Sequence, residues 1–141
     1  MAEQQDSAAF ERVMSTIEAK GVRFVNLEFT DVVGMAKCVT IPAEQFRDCV
    51  QHGKWFDGSA LEGFARVAES DMYLFPDLNT FAILPGKVRP QASIQPLSVG
   101  LTDSVADEDV VARVICHVRT PDGEPFDGDP RATLLRALDV A

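Results

Sequence analysis

No stretch of this 141-residue chain approaches the roughly 20 consecutive apolar residues that span a bilayer. The opening residues, Met1 to Asp6, are polar and acidic, lacking the basic start and apolar run of a signal peptide. The expectation is a cytoplasmic protein that does not enter a membrane. Basic residues are scarce, with 13 Lys and Arg against 22 Asp and Glu, a formal net charge of −9. Nucleic acid and anionic membrane surfaces carry the same sign, so neither is expected as a partner. The three cysteines, Cys38, Cys49 and Cys116, are odd in number and widely spaced. They suit a reducing compartment, as buried and inert small hydrophobes, better than a disulfide framework. His52 and His117 have no cluster around them and read as a loop residue and a strand-surface residue. Metal-finger spacing, a P-loop glycine pattern and internal repeats are absent from the sequence. With 46% apolar and 25% charged residues, the remainder is an ordinary globular composition, long enough for one domain with a real core.

Periodicity lays out the elements. Phe10, Val13, Met14 and Ile17 fall on one stripe of a helix over Ser7 to Lys20, with Ser7 as N-cap and Gly21 as stop. Val25, Leu27 and Phe29 alternate with polar residues as a half-buried strand within Val22 to Thr30. Asp31 to Gly34 is a turn signal, Met35 to Ile41 a second hairpin arm, and Ala43 to Gln51 a short helix with Phe46 and Val50 inward. Gly53 is expected to close that helix in a left-handed conformation. Gln51 to Ala68 breaks periodicity and reads as a long loop, functional because of its aromatics and glycines. Asp71 to Pro76 and Thr80 to Pro85 read as strands about the turn at Asp77 to Asn79, and 86–109 as a surface loop. Val110 to Thr120 is a strand with Ala112, Val114, Cys116 and Val118 on one face and Arg113, His117 and Arg119 on the other. Asp129 followed by Pro130 starts a helix carrying Leu134, Leu135 and Leu138 on one side. The sum is an α+β domain, mostly a single sheet of about five strands packed by helices.

Two segments carry a resemblance. The stretch from Lys54 through Phe56-Asp57-Gly58-Ser59-Ala60-Leu61-Glu62-Gly63-Phe64, then Glu69-Ser70-Asp71-Met72-Tyr73-Leu74, to Thr80-Phe81-Ala82-Ile83-Leu84-Pro85, resembles the N-terminal domain of type I glutamine synthetase. Ala112 to Cys116 followed by Thr120 to Arg131 is a second match in the right order. The resemblance implies a β-grasp (ubiquitin-like) mixed sheet. It also implies an enzyme that ligates ammonia to glutamate with ATP through γ-glutamyl phosphate, using Mg2+ or Mn2+. The oligomer it implies is a dodecamer of two stacked hexamers, each active site lying between the N-terminal domain of one subunit and the catalytic domain of its neighbour.

By that resemblance Asp57 is the catalytic carboxylate that concentrates ammonium and takes its proton, and Gly58 lets the backbone turn beside it. Ser59, Glu62, Phe64 and Arg66 are candidates for substrate binding or for the interface. Trp55, Phe56 and Phe64 read as core or interface aromatics, and Glu69 and Asp71 as structural residues. Ala60 stands where the family usually has a second serine, so a γ-glutamyl amine ligase acting on a larger amine is an alternative. A stand-alone β-grasp binding module is another. The expected layout is an N-terminal helix at 1–20, the β-grasp domain at 21–127 with its loop at 86–109, and the start of an absent catalytic domain at 128–141. The metal, ATP and glutamate sites of the family lie in that domain. No metal site is expected in this chain, and alone it is expected to be inactive.

Overall fold

The computed structural model describes residues 2–58, 71–85 and 109–141. Helix α1 spans Ala2–Lys20. It starts five residues before the expected Ser7 cap, because Ala, Glu and Gln are good helix formers and extend the first turns. Its stop is as expected: Gly21 takes φ 63 and donates to the Glu18 carbonyl. Strands β1 (Val22–Thr30) and β2 (Ala36–Pro42) form the hairpin. A 3-10 turn over Ala43–Gln45 leads into α2, Phe46–His52. Gly53 does not adopt the left-handed helical conformation; its φ of 77 is joined to an extended ψ of 163. A Cβ there would also lie 2.7 Å from the Phe75 ring, so only glycine fits.

The expected loop after α2 contains a strand. β3, Lys54–Asp57, pairs antiparallel with β4, Asp71–Pro76. Four residues between glycines are too few for alternation to stand out, yet Phe56 turns inward while Trp55 and Asp57 turn out. The expected strand at Thr80 to Pro85 shrinks to β5, Ala82–Ile83. Its start is taken by a 3-10 turn over Leu78–Thr80, capped by the Asp77 side chain, which accepts from Asn79 N at 3.1 Å. β6 spans Val110–Arg119 and α3 spans Pro130–Val140. The expected surface loop lies outside the described residues apart from Asp109, which pairs with Arg23 at 2.8 Å.

The sheet has the order β2-β1-β6-β4-β3, with β5 also on β6. β1 and β6 are parallel and every other pairing is antiparallel. It is the mixed sheet of an α+β fold, one short strand richer than expected. β6 is its spine, and Ala112, Val114, Cys116 and Val118 are all buried, as their alternation requires. They pack with Val25, Leu27, Ile41, Met72 and Leu74 beneath Val13 and Ile17 of α1 and Phe46 of α2. A flat sheet would hold β1 and β3 about 14 Å apart, three strand spacings. Instead Phe29 and Phe56 meet with ring centroids 5.0 Å apart, so the sheet curls and brings the C-terminal ends of β1 and β3 together over the core.

Candidate functional site

Strand directions place the site. β6 runs with β1, β4 runs against β6, and β3 runs against β4. The C-terminal ends of β1, β6 and β3 therefore share one end of the sheet. Asp57 is the last residue of β3 and is exposed, with buried Gly58 following it. Its position is fixed from behind: the preceding Phe56 is locked in the core against Phe29, and alternation throws the Asp57 side chain to the outer face.

Directly opposite Asp57 in the ladder stands Asp71, the first residue of β4, also exposed. Opposed residues of an antiparallel pair project to the same face. Trp55 and Tyr73 form the next outward pair, and the Trp55 indole N–H donates to Asp71 Oδ1 at 3.2 Å. Two carboxylates facing each other across a ladder cost about 0.2–1 kcal/mol through repulsion. The same geometry favours a small cation nearby, which offsets that repulsion. Asp71, read as structural, accepts from the Trp55 indole and stands opposite Asp57 in the ladder. The signal was present in the sequence: inward Met72 and Leu74 force Asp71 and Tyr73 outward, and inward Phe56 does the same for Asp57.

Ser59, Glu62, Phe64 and Arg66, with Ala60 and Glu69, lie outside the described residues. Of the three aromatics read as core or interface, Phe56 is core and Trp55 is exposed, while Phe64 is likewise outside. Among the described residues, no group of three or more His, Cys, Asp or Glu gathers to hold a metal ion, and no helix is long and apolar enough to cross a membrane.

The other polar groups serve the scaffold. Where β1 pairing ends at Ile115, buried Asp129 takes over: its Oδ2 accepts from Val118 N at 3.1 Å and its Oδ1 caps α3 through Arg131 N at 3.0 Å. Arg131 in turn pairs with Asp77. His117 is half-buried rather than a plain surface residue, because α3 closes over that part of β6; burial first, then the Arg131 guanidinium, lower its pKa. His52 is the exposed last residue of α2, 3.8 Å from Asp48. Cys49 and Cys116 are buried as expected, and burial pushes the Cys49 thiol up to about 11 and Cys116 higher still. Cys38 is exposed, contrary to expectation, because it lies on the outer face of edge strand β2.

The molecule is an α+β domain whose curled mixed sheet presents a pair of carboxylates at the outer edge of one end. The family model described as "Glutamine synthetase, beta-Grasp domain" matches residues 21–121. The chain is 44% identical over 131 residues to a glutamine synthetase of Thermotoga maritima, covering 93% of this chain and 26% of that protein. It is 41% identical over 128 residues to a glutamine synthetase of Staphylococcus aureus strain Mu50, covering 91% and 25%. A solved structure titled "GmaS/ADP complex-Conformation 1" superposes with a TM-score of 0.70 at 24% identity, covering 92% of this chain and 25% of that one. A cryo-EM glutamine synthetase of Plasmodium falciparum gives 0.70 at 14% identity, covering 92% and 22%. The likeness to these two structures is one of fold. The chain belongs to the glutamine synthetase family and carries its β-grasp domain. It spans about a quarter of the length of the relatives it matches.

Proposed function

We propose that this chain is the N-terminal part of a type I glutamine synthetase, and that Asp57 supplies the ammonium-handling carboxylate to the active site of a neighbouring subunit. The observation that carries this reading is Asp57 itself. It ends an edge strand, projects outward beside Asp71, and is anchored from behind by Phe56. An outward carboxylate at a sheet edge is placed to meet a body that docks there.

Ammonium carries no free lone pair. A carboxylate pair concentrates the cation, and Asp57 accepts a proton as the nitrogen becomes the nucleophile. Ser59, Glu62, Phe64 and Arg66 are, on this reading, substrate-binding or interface residues. ATP, glutamate and Mg2+ or Mn2+ are assigned to the parent enzyme's catalytic domain, and no metal is assigned to residues of this chain. The proposed layout is an N-terminal helix at 1–20, the β-grasp domain at 21–127 and the entry to the catalytic domain at 128–141, within a homo-oligomer that is a dodecamer in this family. The exposed Leu134, Leu135 and Leu138 of α3 support that layout, since a helix is seldom amphipathic for nothing and a catalytic domain would cover them.

The test is steady-state kinetics of the synthetase containing this chain. Asp57→Ala raises the KM for ammonium and lowers kcat, with ATP and glutamate KM values little changed; full activity in that variant defeats the reading. The 141-residue chain alone releases no phosphate from ATP in the presence of glutamate, and measurable release refutes its assignment as an inactive part. The larger-amine alternative rests on Ala60. Preference for an alkylamine over ammonium in the same assay decides in its favour.

A further inference from the structure

The only tryptophan of the chain, Trp55, stands half in water, 52% exposed. A ring of that size usually buries its apolar body and keeps one polar atom for a partner. Alternation decides its direction. Phe56 is inward, so Trp55 and Asp57 share the outer face of β3. Their partners across the ladder are Tyr73 and Asp71. The indole N–H reaches past its direct partner, Tyr73, to the diagonal one, meeting Asp71 Oδ1 at 3.2 Å. Diagonal neighbours of an antiparallel pair lie about 7–8 Å apart, within range of an aromatic side chain and beyond that of a short one.

An indole N–H only donates, so its partner must be an acceptor. A carboxylate is a stronger acceptor than a neutral group. The bond takes one oxygen of Asp71 and so fixes how that carboxylate is turned. Without it Asp71 is an exposed side chain at the first position of a strand, with its rotamers open to it. Among the described residues the indole is the side-chain donor that Asp71 meets. Asp57 stands directly opposite, so the turn of the Asp71 carboxylate governs how two like charges are arranged at that edge of the sheet.

We infer that Trp55 is a positioning residue for ammonium handling: its indole N–H presets the Asp71 carboxylate opposite Asp57, so that an incoming cation meets a carboxylate pair already ordered. The inference rests on the proposed role of Asp57. Ordering two exposed side chains at the moment of binding costs affinity, and presetting one of them removes part of that cost. Trp55 itself touches no reacting atom. It acts through Asp71, and its loss weakens ammonium binding more than turnover.

The test is steady-state kinetics of the synthetase containing this chain. Trp55→Phe keeps an aromatic ring on the outer face and removes the donor. The expected result is an ammonium KM raised several-fold, a smaller change in kcat, and unchanged KM values for glutamate and ATP. An ammonium KM equal to the parent's overturns the inference. So does a rise shared by all three substrates, which marks a general disturbance of the fold. A double-mutant cycle checks that Trp55 works through Asp71. Asp71→Ala removes the acceptor, so adding Trp55→Phe to it moves the ammonium KM no further; effects that multiply overturn the inference. Asp57→Ala separates the two ideas. If that variant loses ammonium turnover while Trp55→Phe behaves as the parent, the Asp57 reading stands and the role of Trp55 falls alone. Full activity in Asp57→Ala removes both.

Discussion

Four aspartates divide the molecule into two kinds of region. Asp129 and Asp31 are buried; both Asp129 oxygens and Asp31 Oδ1 accept from backbone N–H groups of β6, the start of α3 and the β1–β2 turn, and Asp31 Oδ2 lies 3.8 Å from Lys37. Asp57 and Asp71 are exposed and face each other across a strand pair. The side chain is the same, but the surroundings assign it different work. A carboxylate that satisfies backbone donors shapes the chain. A carboxylate turned outward opposite a second one leaves like charges facing at the surface, which costs slightly in stability. The buried and the exposed aspartates also differ in position: Asp129 joins β6 to α3, whereas the outward pair sits on the β3–β4 side of the sheet.

Substitution separates the two kinds of aspartate most readily. Asp57→Ala in the parent synthetase is expected to lower kcat/KM for ammonium by about 100-fold or more, the usual loss for a proton-transfer group. Its melting temperature should hold, since an exposed change is worth within about 0.5 kcal/mol. Asp129→Ala should do the reverse. It orphans the Val118 N–H and removes the α3 cap, costing about 3 kcal/mol in urea unfolding, while ammonium KM moves little. If the two variants give the same pattern, the division between them is wrong. Asp71→Asn relieves the facing charges and keeps an acceptor for Trp55, so it should raise stability by a few tenths of a kcal/mol.

Two smaller effects sharpen the contrast between buried and exposed groups. At pH 8 an aromatic disulfide reagent should titrate Cys38 at once and reach Cys49 and Cys116 only on unfolding, because burial holds their thiols well above the ordinary range. His117 has a lowered pKa in the fold, so the unfolded chain binds its proton more readily. Its contribution is whole above the unfolded value near 6.5 and is lost as the pH falls from there through the folded value. The melting temperature of His117→Gln should therefore fall less than that of the parent chain between pH 7 and pH 5.

Much of this was legible in the residues. β1, β6 and α3 announced themselves through alternation, through Ala112 to Val118, and through the Asp129-Pro130 cap. What escaped was short or depended on distant partners. β3 has four residues, and only its pairing with β4 reveals it. That Asp71 faces Asp57 depends on a strand partner 14 positions away along the chain. The half-burial of His117 depends on α3 folding back over β6, which no local pattern encodes. Cys38 followed strand alternation to the outer face of β2, where a general preference of cysteine for burial gave the wrong side. The hairpin turn was visible as Asp-Val-Val-Gly, yet its rigidity arises from one carboxylate reaching two amides.

Whether Asp57 acts on a neighbour's site is decided by mixing subunits. Asp57→Ala subunits and subunits inactivated in the catalytic domain are each dissociated, combined in equal amounts and reassembled. If the site is shared between neighbours, about a quarter of the interfaces pair an intact Asp57 with an intact catalytic domain, so the mixture should recover activity that neither parent has. If Asp57 serves its own subunit, every site carries one defect, and a mixture that stays as inactive as its parents contradicts the account.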